Sequence, residues 1–196
     1  MEVFQELYQI KEAVWSELIK ASHQKKHAWR TPIMGNLSDD RTRLRTIVLR
    51  KSNINGRSLR FYTDRRSAKW PAVKDAAIFS LLFWDPRKSW QVHAQGNPKI
   101  LDAQTTDQIW SGLPVYSRSS YATLEAPGDN LLAAADGLPE SFFDRKKADT
   151  EYARPNFGVF ELVIDYFEFL QLSRNGHRRA KFSWHEKDWK GEWVVP

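Results

Sequence analysis

The strongest chemical signal in this sequence is a run of basic residues that ends beside a predicted helix start. Residues 41–69 contain ten Lys or Arg residues and one acidic residue, Asp64. The predicted elements bring Arg45 and Lys69 towards one point. Arginine has the forked geometry that phosphate prefers, and the free N–H groups of a helix N-terminus attract anions. The segment therefore predicts a phosphate-binding corner.

An exposed, solvated face is the alternative interpretation of the same basic run, because charged side chains mostly lie at the surface. The alternation of side chains along a strand argues against it. Arg45 shares a face with Ile47 and Leu49, and Arg50 shares the other face with Val48. A buried arginine requires an anionic partner.

A β-hairpin is expected to position the first of these groups. Asn55-Gly56, between two β-rich segments, favours a two-residue type I′ turn. Paired positions then sum to 111, which places Arg45 at the level of Arg66.

A helix predicted over residues 67–74 is expected to position the second group. Asp64 or Ser67 is the expected N-cap, and Lys69 then lies in the first turn. The corner would combine a strand arginine, a helix lysine and the helix N-terminus itself.

The rest of the chain is typical of a mainly β protein with flanking helices. Apolar residues at helical spacing predict an amphipathic helix over about residues 3–22. Eight segments rich in β-branched and aromatic residues are predicted strands: 33–37, 44–51, 58–63, 76–84, 89–101, 157–172, 178–184 and 190–195. A short helix is expected over residues 105–111 and a long loop over about 125–156. We expect one domain, residues 1–196, built on an antiparallel sheet closed into a barrel.

Composition excludes several classes of protein. The chain has 196 residues, a net charge of +6, a pI near 9.5 and no cysteine. The lack of cysteine excludes disulfides, thiolate metal sites and a cysteine nucleophile. No apolar segment approaches the ~18 residues of a membrane span. We expect a cytoplasmic protein that has no membrane partner and no metal.

Two further polar clusters are candidates for ligand binding. They are Gln91, His93 and Gln95 on one predicted strand, and His177, Arg179 and Lys181 on another, which follows the turn signal Asn175-Gly176. The first cluster is equally compatible with a half-exposed strand face. The second suits an anionic substrate, although a plain surface role for His177 stays open.

Several motifs resemble, in order, those of the pyridoxamine 5′-phosphate oxidase-like, FMN-binding split-barrel family. They are Arg45-Thr46-Ile47-Val48-Leu49-Arg50, Phe61-Tyr62-Thr63-Asp64, Ser67-Ala68-Lys69 and Trp90-Gln91-Val92-His93-Ala94-Gln95-Gly96. The segment from Arg179 to Pro196 resembles the family's closing segment. The chain is most similar to an oxidase-related subgroup whose substrates are unassigned.

The resemblance implies a six-stranded antiparallel split barrel and a homodimer that binds FMN at the subunit interface. The residues that it assigns to FMN are Arg45, Thr46, Ile47, Val48, Arg50, Tyr62, Thr63, Ser67, Lys69, Gln91 and Arg179. Arg45 and Lys69 would hold the phosphate, and Tyr62 and Thr63 would line the ribityl and ring region. Gln91 would bond the edge of the isoalloxazine ring, and Arg179 would lie close to it.

Positions at which the family's oxidases bind substrate differ in this chain. Asn175 stands where those oxidases have an arginine, whereas the histidine is retained as His177. Arg50 stands in place of a lysine, and Arg118 precedes a Pro-Gly turn as in the subgroup. The substrate candidates are therefore Arg50, Arg118 and His177, and no catalytic residue is assigned.

The expected function is that of an FMN-dependent oxidoreductase acting on a small, anionic substrate. The alternatives are a non-catalytic basic barrel that binds single-stranded nucleic acid, and a split barrel that holds haem or a deazaflavin. The chain has no RNP-like aromatic motif and no basic tail, so we do not expect nucleic acid as a partner.

Overall fold

The computed structural model describes residues 4–38 and 40–196 of the chain. The helices are α1 Leu7–His23, α2 Trp70–Lys74, α3 Ala103–Gly112 and α4 Val115–Arg118. The strands are β1 Ile33–Ser38, β2 Arg41–Thr46, β3 Lys51–Asn53, β4 Ser58–Asp64, β5 Phe79–Asp85, β6 Trp90–Ile100, β7 Phe157–Gln171, β8 Arg178–His185 and β9 Asp188–Val194. Short 3-10 helices lie at Ala28–Arg30, Ser119–Tyr121, Phe142–Asp144 and Lys147–Asn156. The predicted mainly β class is confirmed.

The nine strands form one sheet in the order β2-β1-β5-β6-β7-β4-β3, and β8 pairs with β7 and β9. The pairs β1–β2, β1–β5, β3–β4, β5–β6, β7–β8 and β8–β9 are antiparallel. The six strands expected from the resemblance are thus corrected to nine within the described residues.

One of the extra strands arises because the predicted strand over residues 44–51 is divided. Its first part, β2, pairs with β1, with Met34 opposite Arg45. Past β2 the chain still bonds to the segment before β1, since the Ile47 N–H donates to the Pro32 carbonyl at 3.1 Å. Arg45 therefore belongs to a different strand pair from β4, and its predicted pairing level with Arg66 is wrong.

The hairpin between β3 and β4 keeps the predicted register with a different turn. Asn53 lies opposite Ser58, which preserves the sum of 111. The connection is the four-residue segment 54–57 and not a two-residue type I′ turn, with Arg57 in the left-handed region at a φ of 50°. The Gly56 N–H donates to the Asn53 side-chain oxygen at 3.2 Å and closes the turn.

Helix α1 buries one apolar face and packs against β3 and β9. The buried apolar residues of that face are Ile10, Val14, Trp15, Leu18 and Ala21. Residue 3, where the helix was predicted to start, lies outside the described residues. Every helix among the described residues is too short or too polar to span a lipid bilayer.

The contacts group the chain into two compact units. Unit 1 is the chain up to Phe61 together with Ala76–Lys99 and Glu161–Pro196, and unit 2 is Tyr62–Asp75 and Ile100–Phe160. Unit 2 has an apolar core of Trp110, Tyr121, Ala122, Phe142, Ala153, Phe157 and Val159. That the chain is a single domain stays a prediction.

Unit 2 corrects one predicted loop and confirms one predicted helix. The predicted loop over 125–156 contains the 3-10 helices Phe142–Asp144 and Lys147–Asn156. The helix expected over 105–111 is α3, which Asp102 caps by accepting the Thr105 N–H at 2.7 Å.

Candidate functional site

The turn after β4 gathers two hydroxyl groups and an ammonium group in unit 2. Thr63 and Ser67 are buried, with their hydroxyl oxygens 3.3 Å apart. The Ser67 hydroxyl donates to the Asp64 carbonyl at 2.6 Å, and Lys69 Nζ donates to the Ser67 oxygen at 3.0 Å. Ser67 thus acts as donor to the backbone and as acceptor for Lys69, which orients the ammonium group. An oriented ammonium beside hydroxyl groups suits a phosphate oxygen.

The side chain of Asp64 fixes the path of that turn. Its Oδ1 accepts the Arg66 backbone N–H at 2.7 Å, and its two oxygens bind the Arg66 guanidinium at 3.1 and 2.8 Å. Arg66 also donates to the carbonyl and hydroxyl oxygens of Thr123 at 3.0 and 3.1 Å. The hydrogen bonds to Asp64 raise the pKa of Arg66. The one acidic residue of the basic run therefore pairs with Arg66.

Helix α2 begins later than predicted. Its first residue is Trp70 and its N-cap is Lys69, so the prediction that Asp64 or Ser67 caps it is wrong. The Trp70 N–H donates to the Ser67 carbonyl at 2.9 Å. Because a five-residue helix has only a weak macrodipole, its N-terminus is not part of the phosphate-binding corner. Lys69 and Ser67 stay as candidates through their side chains.

In unit 1, Arg45 is a half-buried cation held by a neutral side chain. Its Nη1 donates to Oδ1 of buried Asn36 at 2.5 Å. Burial and, second, repulsion from Arg43 lower the pKa of Arg45. Within residues 4–38 and 40–196, no carboxylate forms an ion pair with Arg45. A guanidinium in these surroundings favours an added anion.

The residues that follow Arg45 alternate in burial. Thr46 is exposed, Ile47 is buried and Val48 is half-buried. Arg50 is half-buried, and its backbone N–H donates to the Arg60 carbonyl at 2.9 Å. The predicted alternation of this segment is thus present, although only its last residue bonds to β4.

The predicted polar face of β6 is present. Gln91, His93 and Gln95 are half-buried, and the residues between them are buried. Gln91 lies opposite Trp84 of β5, and His93 contacts the Tyr166 ring edge-on with the ring centres 6.3 Å apart. Burial and then the Glu168 carboxylate raise the pKa of Tyr166.

Arg179 lies on β8 and forms an ion pair that the sequence did not predict. Its Nη2 donates to Glu168 Oε1 at 2.7 Å, and its Nε is buried without a hydrogen-bond partner among the described residues. The alternation of β7 and the turn signal at Asn175-Gly176 could have indicated Glu168, which lies diagonally across from Arg179. His177 precedes β8, is exposed, and accepts the Ser173 N–H at its Nδ1 at 3.0 Å.

Tyr62, in unit 2, packs edge-on against the ring of Phe157 with centres 5.2 Å apart. Tyr62 is half-buried.

Arg118, also in unit 2, is engaged within its own unit. It is 1% exposed and donates to the Glu151 carboxylate at 2.6 Å, the Thr150 hydroxyl at 2.9 Å and the Trp110 carbonyl at 2.9 Å. Its guanidinium lies 4.2 Å from the centre of the Trp110 ring. A substrate would have to displace these contacts to reach it.

The predicted site residues divide between the two units. Unit 1 contains Arg45, Thr46, Ile47, Val48, Arg50, Gln91, His177 and Arg179, and unit 2 contains Tyr62, Thr63, Ser67, Lys69 and Arg118. The structure brings Thr63, Ser67 and Lys69 together in one cluster. That Arg45 and Lys69 grip the same phosphate stays a prediction.

Residues 12–102 match the family model described as pyridoxamine 5′-phosphate oxidase, FMN-binding domain. This part of the chain thus resembles the FMN-binding domain of that family. A pyridoxine/pyridoxamine 5′-phosphate oxidase of Pseudomonas putida (strain W619) is 23% identical over 162 residues, which are 81% of this chain and 74% of the oxidase. The predicted resemblance to the oxidase family and the predicted cofactor, FMN, are confirmed.

Two solved structures share the fold over nearly their whole length. PhzG from Burkholderia lata 383, in complex with tetrahydrophenazine-1-carboxylic acid, has a TM-score of 0.74 at 20% identity and covers 100% of this chain and 99% of its own. A pyridoxamine 5′-phosphate oxidase-related, FMN-binding protein of Nostoc punctiforme PCC 73102 has a TM-score of 0.74 at 19% identity and covers 99% of this chain and 100% of its own. The split-barrel fold is thereby confirmed, with the strand number corrected as above.

Proposed function

We propose that this chain is an FMN-dependent oxidoreductase that acts on a small anionic substrate. The observation that carries the proposal is Arg45, a half-buried guanidinium bound to the neutral Asn36 and without a carboxylate partner in the described part of the chain. A phosphate monoester provides the missing negative charge in a geometry that arginine binds well. Arg45 also lies within the segment that matches the FMN-binding family.

In this proposal the phosphate of FMN binds Arg45 and Lys69, and Ser67 orients the lysine. The residues beside the ribityl chain and the ring are Thr46, Ile47, Val48, Arg50, Tyr62 and Thr63. Gln91 bonds the ring edge through its side-chain amide. Arg179 places a positive charge near the ring, and Glu168 partly offsets that charge.

Bound FMN supplies the two-electron redox chemistry, so the side chains have to bind, orient and stabilise charge. Gln91 offers a neutral hydrogen-bonding group, and Arg179 offers a cation whose Nε has no hydrogen-bond partner among the described residues. Both favour negative charge on a neighbouring ring. None of these roles requires a nucleophilic side chain.

A homodimer is part of the proposal, because the face of unit 1 that carries Gln91 is partly apolar and exposed. Ile33 of β1 lies opposite Leu82 of β5, so the two side chains lie on the same face of the sheet. Trp84 of β5 and its partner Gln91 of β6 lie on that face as well. The exposed apolar side chains on this face are Ile33, Leu37, Leu44 and Trp84. Contiguous apolar surface of this kind marks an interaction site. A second copy of the chain covering it would also enclose Gln91.

For the substrate, we propose Arg50 and His177 as the residues that attract its negative charge. His177 is exposed, and Arg50 is half-buried. Arg118, the third predicted candidate, is bound to Glu151, Thr150 and Trp110, and in this structure it orders unit 2. Its substrate role stays a prediction that requires those contacts to break. A cytoplasmic location also stays a prediction.

The phosphate assignment is tested by Arg45→Ala. We expect the variant to bind FMN about tenfold or more weakly, because a charge-assisted hydrogen bond is lost. Riboflavin, which has no phosphate, should bind both proteins equally. Flavin fluorescence titration measures both affinities.

Arg43→Ala is the matched control, since Arg43 is an exposed arginine two residues away on the same strand. It should leave FMN binding within about twofold, as expected for a solvated charge. Equal losses for FMN and riboflavin in Arg45→Ala would contradict the assignment, as would an equal effect of the control.

The oxidoreductase proposal is tested by flavin reduction without oxygen. We expect the flavin absorbance to bleach with at least one small anionic compound from a set that includes pyridoxamine phosphate and pyridoxine phosphate. A Soret band in the purified protein would favour haem instead. Salt-sensitive binding to single-stranded oligonucleotides would favour the nucleic-acid alternative.

A further inference from the structure

A basic cavity of about 480 Å³ lies in unit 1. Its charged wall consists of Lys20, Lys26, Arg87, Lys88, Glu17 and Asp85. None of the residues proposed for FMN is among its lining residues. The wall thus carries four permanent cations and two carboxylates, outside the proposed FMN site.

Glu17 is the buried centre of this wall. Lys20 Nζ lies 2.7 Å from its Oε1, and the Lys88 ammonium contacts its Oε2. Burial alone would raise the pKa of Glu17, but the hydrogen bonds from Lys20 and Lys88, the Lys88 charge and the His27 hydrogen bond lower it from 4.5 to about 2. The carboxylate therefore stays charged and holds two ammonium groups at one place. One negative charge cannot neutralise both.

His27 adds a hydrogen bond to this wall without adding charge. Its Nδ1 accepts the Trp29 N–H at 3.1 Å, so the ring proton belongs on Nε2, which lies 3.1 Å from Glu17 Oε2. This arrangement describes a neutral ring. The excess positive charge of the cavity therefore comes from the lysines and the arginine.

Asp85 shapes the other side of the cavity. Its Oδ1 accepts the backbone N–H groups of Arg87 and Lys88 at 2.9 and 3.3 Å. These bonds fix the turn between β5 and β6 and direct the two residues to the same wall. Arg87 is exposed at the rim, as is Lys26.

We propose that this cavity binds a small polyanion with two adjacent phosphoryl-type groups. Lys20 and Lys88, fixed by Glu17, offer one pair of cations, and the rim residues Lys26 and Arg87 offer the second. The volume lies within the range of small-molecule sites. An excess of two positive charges in one concave site attracts an anion more strongly than scattered surface lysines do.

The test is calorimetric titration of the FMN-loaded protein with pyrophosphate at about 150 mM salt, where surface charges are screened. We expect saturable binding at one site per chain. The double variant Lys26→Glu, Arg87→Glu should weaken it at least tenfold. Lys25→Glu should have little effect, because Lys25 is an exposed neighbour that does not line the cavity.

Circular dichroism checks that the double variant is folded, and Arg87→Gln, a milder exposed change, should also weaken binding. The flavin spectrum should not change during the titration. The absence of saturable heat would overturn the proposal. So would equal weakening by Lys25→Glu, which indicates non-specific attraction, or release of FMN by pyrophosphate, which indicates binding at the flavin site.

Discussion

Arg45 and Glu17 are charged residues of unit 1 with opposite surroundings. Glu17 is buried among three basic side chains, which hold its pKa at about 2. Arg45 has a neutral amide as its partner, and burial lowers its pKa. The first charge is satisfied inside the fold and supports α1. The second is left to a ligand in our proposal.

Glu17→Gln is expected to destabilise the protein by about 3 kcal/mol at pH 7, since the carboxylate has a lower pKa in the folded state than in the unfolded state. That contribution is complete above pH 4.5 and is lost as the pH falls towards 2. Urea unfolding should therefore show the unfolding free energies of the wild type and the variant converging as the pH falls from 4.5 towards 2.

Glu12→Gln, an exposed change on the same helix, should follow the wild type within about 0.5 kcal/mol. If the loss of unfolding free energy in Glu17→Gln were the same at every pH, it would reflect packing and not the lowered pKa of Glu17, and the prediction would be contradicted.

Arg118 shows what the sequence does not reveal about single residues. Its basic side chain and its position before a Pro-Gly turn were the local signals that suggested a ligand role. Its acceptor Glu151 is 33 positions later, and Thr150 beside it accepts as well. Nothing in the sequence around Arg118 indicates that Thr150 and Glu151 lie beside it in the folded chain. A structural role of this kind is visible only in the folded protein.

At the scale of the elements, seven of the eight predicted strand segments each coincide with one observed strand, because period-two alternation and turn residues are strong signals. The eighth, residues 44–51, is divided between β2 and β3. The division into β2 and β3 was not predictable in the same way. The alternation of residues 45–49 is compatible with pairing to the chain near β1 or to β4. The hydrogen bond from the Ile47 N–H to the Pro32 carbonyl shows that they follow the β1 side.

The late start of α2 did have a signal in the sequence. With Ser67 as N-cap, Pro71 would be the fourth helical residue, where the missing N–H removes a helix bond. With Lys69 as N-cap, Pro71 lies in the first turn, where proline is tolerated. Proline position was therefore the better guide to the helix boundary than the capping preference of serine.

Gly96 of β6 lies too close to the backbone of β7 for any side chain to fit. A Cβ there would lie 2.0 Å from the Val163 carbonyl oxygen. Gly96→Ala should therefore destabilise the fold by roughly 3 kcal/mol, because backbone has to move. Urea unfolding monitored by tryptophan fluorescence measures the loss.

Gly112→Ala is the control, since a Cβ at that helical position meets no atom within 4 Å. It should stabilise the protein by roughly 0.5–1 kcal/mol, as expected for alanine in a helix. Similar losses in both variants would contradict the steric explanation.

At the scale of the whole molecule, the sequence predicted the family and its cofactor, because four motifs occur in order. The proposed dimer uses the exposed face of β2, β1 and β5, which no motif describes. Leu44 is 68% exposed and Leu37 is 66% exposed. That surface is where we expect the second copy.

Leu44→Asp is therefore expected to convert a dimer into a monomer and to weaken FMN binding at the same time. Light scattering after size-exclusion chromatography measures the mass, and flavin titration measures the affinity. Leu132→Asp changes a fully exposed leucine outside this face and should leave both unchanged. A monomeric wild type, or a dimeric Leu44→Asp variant, would contradict the proposed interface.

Asn36 has a consequence for how an anion could enter the proposed phosphate site. Because its amide carries no charge, Arg45 has no resident counter-ion among the described residues that an incoming ligand must evict. An aspartate at position 36 would be an internal competitor for the guanidinium, present at a high effective concentration. The neutral amide of Asn36 therefore orders the Arg45 guanidinium through a hydrogen bond without neutralising the charge that an anion would bind.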